Sequence, residues 1–167
     1  EVAQRALQRR ERLETIGDLP FEALLIADGG KRLQAIAAHL PFFDIDPARV
    51  RMLGTGQWDE AGIGAEPALV GGWFAVPDPA TRADFEKHYA RIYGKTPPRL
   101  ATLAYDATAL AAGLARAEGG ADFFGRDGIF RFRNEGVVER GLAVLEVRRQ
   151  GFKVIDKAPD VFGPAIF

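Results

Sequence analysis

A nearly unbroken apolar run, Phe21-Glu-Ala-Leu-Leu-Ile-Ala27, hands over through Asp28-Gly29-Gly30 to a stretch with Leu33, Ile36, Ala37 and Leu40 at helical spacing. A strand buried on both faces of a parallel sheet reads as such a run rather than as an alternation. The helical stretch stops at Pro41, and Asp44-Ile-Asp-Pro47 forms a turn because the residue before a proline is pushed out of the helical region. Val50-Arg-Met-Leu53 is then a second strand running into Gly54-Thr55-Gly56. Strand, helix and strand joined by a few residues cannot pair as a hairpin. They predict an α/β fold with a doubly wound, mostly parallel sheet and flanking helices.

The rest of the chain fits that layout with a change at its end. Residues 2–16 form a loosely amphipathic helix ended by Gly17, and Gly72-Trp-Phe-Ala-Val76 is a further strand closed by Pro77-Asp-Pro79. Thr81 to Tyr93 is a helix with Phe85, Tyr89 and Ile92 on one stripe, and an Ala-rich helix runs from about Leu100 to Ala117. Beyond Gly128 the segments 128–133, 141–147 and 152–155, separated by Asn134-Glu-Gly136 and Gln150-Gly151, read as antiparallel edge strands.

Composition narrows the chemistry. The 167 residues include no Cys and no Ser, so disulfides, thiolate metal sites and Cys or Ser nucleophiles are excluded. A net charge of -1 removes the long-range field of a nucleic-acid or anionic-lipid binder. His39 and His88 each lack a second His at ligand spacing, and Asp44 and Asp46 lack the follow-up of a calcium loop, so neither metal nor cofactor is expected. Nothing singles out a carboxylate pair such as Asp28 and Asp106 for acid–base work.

Two strand ends are the candidate sites. Asp28-Gly29-Gly30 lies where a parallel strand meets a helix, the edge of an α/β sheet at which ligands meet unpaired N–H groups. The same residues also serve a purely local purpose, with Asp28 capping the helix and the glycines permitting a tight turn. Gly54-Thr55-Gly56 opens like a dinucleotide fingerprint, but Asp59 stands where the third glycine belongs. Trp58 beside it is either a ligand wall or packing.

Phe85-Glu-Lys-His-Tyr-Ala-Arg-Ile-Tyr-Gly-Lys-Thr-Pro-Pro98, Leu103-Ala-Tyr-Asp-Ala107 and the Phe130-Arg-Phe and Leu142-Ala-Val-Leu-Glu-Val segments resemble the type I periplasmic binding proteins, in the branch of the Leu/Ile/Val-binding proteins. Leu53-Gly-Thr-Gly-Gln-Trp-Asp59, Gly71-Gly-Trp-Phe-Ala75 and Asp127-Gly-Ile-Phe-Arg-Phe132 are similar to the proteobacterial envelope lipoproteins described as penicillin-binding-protein activators. The resemblance implies two α/β lobes around a cleft, of which this chain supplies the C-terminal part. Residues 1–76 and 128–156 would belong to one lobe, and 80–117 would be helices of the other. Asp28, Gly29, Gly30, Thr55, Gly56, Trp58 and Tyr105 would face a small polar ligand.

The resemblance further implies a non-enzymatic binding or regulatory domain of the periplasm, with a lipid anchor on a segment outside this sequence. Its partner would be a peptidoglycan synthase; the alternative is the solute receptor of an ABC transporter. Crossovers near Val76–Asp78 and Ala117–Gly128 would act as hinges. Two departures stand out. Gly56 and Gln57 occupy the loop where amino-acid binders place a carboxylate, and the segment from Ala117 to Gly128 is short for the family. Helix faces left bare by an absent lobe cost about 25 cal/mol per Å² of apolar surface. An N-terminal segment or a second chain that completes the other lobe, or a rearranged pairing, is therefore expected.

Overall fold

The computed structural model describes residues 19–115, 122–133 and 136–163. The helix expected over 2–16 and residues 117–121 of the shortened segment lie outside them. The chain divides into two compact units, Glu1–Ala75 with Leu145–Ile155 and Val76–Val144 with Asp156–Phe167.

The first unit is organised by a sheet of order β1-β2-β3-β7-β8, with β1 Ala23–Ile26, β2 Arg51–Gly54, β3 Trp73–Val76, β7 Ala143–Val147 and β8 Phe152–Asp156. β1 pairs parallel with β2, and β2 with β3, as the apolar runs and intervening helix require. The helix α1, Gly30–His39, follows β1 and buries Leu33 and Ala37. A 3-10 turn over Leu40–Phe43 continues it, since Pro41 fits a first helical turn but not an interior one. Gly71 N–H donates to Val147 C=O and Val147 N–H to Gly72 C=O, so two residues face one where β3 meets β7. An Arg148 N–H to Gly151 C=O bond turns β7 back as a hairpin into β8. β7 alternates buried and half-buried residues, and Leu145 and Val147 join Val50, Met52 and Phe74 in the core.

The second unit holds α2 Pro79–Tyr93, α3 Ala101–Ala115 and an antiparallel sheet of order β4-β5-β6. Asp78 caps α2 through Oδ1, which accepts from Ala80 N–H at 2.8 Å, and Pro79 takes the first helical position. Gly94 ends α2 at φ 68°, a left-handed cap that favours glycine. β4 (Phe123–Gly125), β5 (Gly128–Phe132) and β6 (Val138–Arg140) pair in the register Phe123 to Phe130 and Phe130 to Arg140.

The structure therefore corrects the expected distribution of the C-terminal strands. Residues 128–140 form a sheet of their own within the second unit, and the chain returns to the parallel sheet only with β7 and β8. The cause is β4, hidden from the sequence in Asp122-Phe-Phe-Gly125, which gives β5 a partner of its own. The mixed α/β class with a mostly parallel sheet and flanking helices is as expected.

The burial of α3 inverts its composition. Thr102 and Asp106, both polar, are its buried residues, whereas Leu103, Tyr105 and Leu114 are exposed. Asp106 accepts from the backbone N–H groups of Arg126 and Asp127 at 2.7 and 3.1 Å, and Thr102 Oγ1 donates to Asp127 Oδ2 at 2.9 Å. One turn of helical spacing thus puts a hydroxyl and a carboxylate over the tight β4–β5 turn, whose inward N–H groups need acceptors.

Candidate functional site

The first unit brings the two strand-end loops together, because β1 and β2 are adjacent and parallel and so end on the same edge of the sheet. Gly29 is the N-cap of α1, and no side chain caps it. Asp28 Oδ1 instead accepts from Gly29 N–H at 3.0 Å, so Asp28 orders the loop rather than the helix end, contrary to the capping expectation. Gly30 takes φ 57°, a left-handed conformation that favours glycine. Gln57, from the β2 loop, lies directly over Gly29: a Cβ at position 29 would stand 2.9 Å from Gln57 Cβ and 3.2 Å from its Oε1. Thr55 shapes that loop by accepting from Gln57 N–H at 3.3 Å, and Gly56 begins its 3-10 turn. Asp28, Gly29, Gly30, Thr55 and Gly56 are all half-buried, while Gln57 is exposed.

Trp58 is elsewhere than on the surface of this loop. It is 0% exposed, and its Nε1–H donates to Ile26 C=O at 3.2 Å. Its ring lies 6.4 Å from Phe74 and fills the space left by two glycines. A Cβ on Gly54 would fall 2.1 Å from Trp58 Cδ2, and one on Gly72 2.8 Å from its Cζ3. An indole with no accessible surface offers no face to a ligand. It is the support under both strand ends, tying the last residue of β1 to the loop after β2.

Tyr105, the remaining candidate, belongs to the second unit. It is half exposed, meets Phe85 edge-on at 5.6 Å and carries the Arg126 guanidinium 5.6 Å from its ring centroid. With Asp84 and His88 these residues line a cleft of about 210 Å³. Beside it, Tyr89, Ile92, Tyr93, Ala101 and Thr108 join Phe85, His88 and Tyr105 around an apolar groove of about 390 Å³. Sequence reasoning missed Arg126 and the Asp106–Asp127 contact, and named Gln57 only as the neutral occupant of its loop. Asp106 was visible only as an undistinguished carboxylate in an Ala-rich helix. Among the described residues no three His, Cys, Asp or Glu side chains are grouped to hold a metal ion. His39 Nδ1 is 2.6 Å from Ala35 O, and His88 Nδ1 is 2.9 Å from Arg91 Nη2. No helix among the described residues is long and apolar enough to cross a membrane.

The mostly parallel sheet, the flanking helices and the antiparallel three-stranded sheet are matched by solved structures of the type I periplasmic-binding-protein fold, and the chain has that fold. Among solved structures it is similar to the C-domain of Haemophilus influenzae LpoA, a regulator of PBP1A, at 17% identity and a TM-score of 0.60 over 90% of this chain and 49% of that one. It is similar to an extracellular ligand-binding receptor from Desulfohalobium retbaense at 24% identity and TM-score 0.57, over 80% of this chain and 26% of that one. A leucine-binding protein from Thermotoga maritima matches at 20% identity and TM-score 0.55, over 83% and 45%. The chain thus spans from about a quarter to about half the length of these structures. They are binding or regulatory proteins. No protein-family model and no curated protein matches the chain.

Proposed function

We propose that this chain is part of a non-enzymatic binding and regulatory protein of the bacterial periplasm, which engages a peptidoglycan synthase. The observation that carries the reading is the β2 loop. Gly56 and Gln57 stand where the resemblance to amino-acid receptors leads one to expect a carboxylate, and Gln57 lies across Gly29. Gln57 itself would offer a ligand ammonium only a neutral amide, and the loop's carboxylate Glu60 lies instead beside Gly30, its Oε2 3.7 Å from where a Cβ on that residue would stand. The likeness to the LpoA C-domain over 90% of the chain supports the same choice. Hinge bending at the crossovers near Val76–Asp78 and Ala117–Gly128 would set the geometry that the partner meets.

A solute receptor is the second reading, favoured by the uncapped N-terminus of α1 at the Asp28–Gly30 loop. One experiment separates the two. The full-length gene product is screened by thermal shift against amino acids, small organic acids and peptidoglycan fragments, and by interferometry against a purified bifunctional peptidoglycan synthase. The regulatory reading expects saturable synthase binding and no solute response. A receptor instead gains about 2.7 kcal/mol at a hundredfold excess of ligand over Kd, and a saturable shift of that kind with an amino acid would overturn the proposal.

A further inference from the structure

The second unit encloses a charged donor and a charged acceptor that its own side chains do not satisfy. Asp127 is 3% exposed, and its Oδ1 meets no donor among the described residues. Arg140 has a partly exposed side chain, but its Nε is buried and meets no acceptor among them. The two atoms belong to neighbouring side chains. Arg140 Nη2 lies 3.7 Å from Asp127 Oδ2, near enough for an ion pair and too far for a hydrogen bond. A charged group shut away from solvent without a bond is strongly unfavourable, so both atoms call for an explanation.

The pair does not close on itself because both partners are pinned. Thr102 Oγ1 donates to Asp127 Oδ2 at 2.9 Å, and Asp127 N–H donates to Asp106 Oδ2 at 3.1 Å. Arg140 stands opposite Phe130 in the β5–β6 ladder, with its guanidinium 5.7 Å from that ring. A direct bond would pull one side chain off these contacts. The unsatisfied atoms are one acceptor and one donor, so whatever joins them must itself donate and accept. We propose that a single buried water does so, accepting from Arg140 Nε–H and donating to Asp127 Oδ1. Waters held in this way are structural ligands of buried polar groups, and such a bridge is nearly as good as a direct bond. Arg140 and Asp106 also line a cavity of about 160 Å³, whose other walls include Leu103, Leu110, Phe130 and Phe132. The water is held at the polar end of that space, where it finds partners, and not against the apolar walls. It completes a chain of bonds from Thr102 on α3 through Asp127 to Arg140 on β6. The inference lies within the second unit and rests on no choice between regulator and receptor, so the solute and synthase measurements can fail without touching it.

A crystal structure of the full-length gene product, at a resolution that shows ordered waters, tests it. The expected result is a water peak about 2.7–3.2 Å from both Arg140 Nε and Asp127 Oδ1. In solution, with arginine labelled at Nε with nitrogen-15, Arg140 Nε–H should give a cross-peak to water of the sign that marks a long-resident molecule. Arg131 Nε–H, bonded directly to Glu139 Oε2 at 2.9 Å, is the control that should lack it. A direct bond between Arg140 and Asp127 shorter than about 3.2 Å would overturn the proposal. So would a group from elsewhere in the protein in the water's place, or clear density for both side chains with nothing between them.

Discussion

Replacing Trp58 by alanine separates a supporting indole from a ligand-contacting one. The side chain is wholly buried, bonded to Ile26 C=O, and flanked by Gly54 and Gly72 at distances that leave no atom free to move in. Truncating a buried aromatic costs about 3–5 kcal/mol when the surroundings collapse only in part. Here collapse is limited, because the two glycines have no side chains with which to refill the space. Ile26 C=O loses its indole partner as well, a loss of about 1 kcal/mol. The sum, about 4–6 kcal/mol, is a large part of the 5–15 kcal/mol by which a domain is normally stable. With a urea m-value of about 2 kcal/mol/M, the midpoint falls by about 2–3 M. Far-UV circular dichroism is the suitable readout, since Trp58 is one of only two tryptophans and its removal changes the fluorescence baseline. Trp58→Phe, which keeps most of the ring but not the N–H, should lie between the two. A Trp58→Ala protein with an unchanged midpoint would refute the packing argument.

Other outcomes follow from the same geometry. Gly54→Ala places a Cβ 2.1 Å from Trp58 Cδ2, so it should lower the urea midpoint by more than a surface glycine change such as Gly62→Ala, despite the positive φ at Gly62. Asp106→Ala leaves the Arg126 and Asp127 N–H groups without their acceptor, a loss of about 1–3 kcal/mol per stranded donor, and should release the β4–β5 turn to fast hydrogen exchange before global unfolding. Hydrogen bonds from Arg131 and then Arg133 hold the Glu139 carboxyl below the ordinary glutamate range. A lowered folded value means stability that is fully present above the unfolded pKa and is lost as pH falls through the folded one, so Glu139→Gln should flatten that acid limb of the unfolding midpoint.

How far the sequence could be read depended on whether a residue's role is decided locally. The parallel strands and α2 were legible because apolar runs, helical stripes and the Asp78-Pro79 and Gly94 boundaries are short-range signals. β4 was not, since three residues of Phe-Phe-Gly carry no period and become a strand only by pairing with Gly128–Phe130. Trp58 was ambiguous for the same reason. Its neighbours in sequence are loop residues, and what buries it, Ile26, Phe74 and the gaps at Gly54 and Gly72, comes from three other strands or strand ends. In α3 the apolar positions announced a buried helix, but the buried stripe is Thr102 and Asp106. The contest there was won by the backbone N–H groups of a turn twenty residues away, whose need for acceptors no helical periodicity records.

The exposed side of α3 and the bare edge of β1 make the same physical demand by different means. A helix with Leu103, Tyr105 and Leu114 turned outward sheds apolar surface to water, and a parallel strand with Leu25 outward leaves N–H and C=O groups unpaired by the sheet. The first deficit is nondirectional, so many surfaces would relieve it. The second is directional and fixed in register, so only a strand will do. That difference separates a demand that any apolar surface can meet from one that only backbone groups can meet. It also orders the consequences of a charge at each place. Leu25→Lys places a charge on the face of the sheet at β1 rather than on its edge, and should lower the unfolding midpoint of the full-length protein if that face is covered there. Leu114→Lys, at the far end of α3, should cost stability only if that face is covered as well. Equal tolerance of both substitutions in the full-length protein would mean that neither surface is covered.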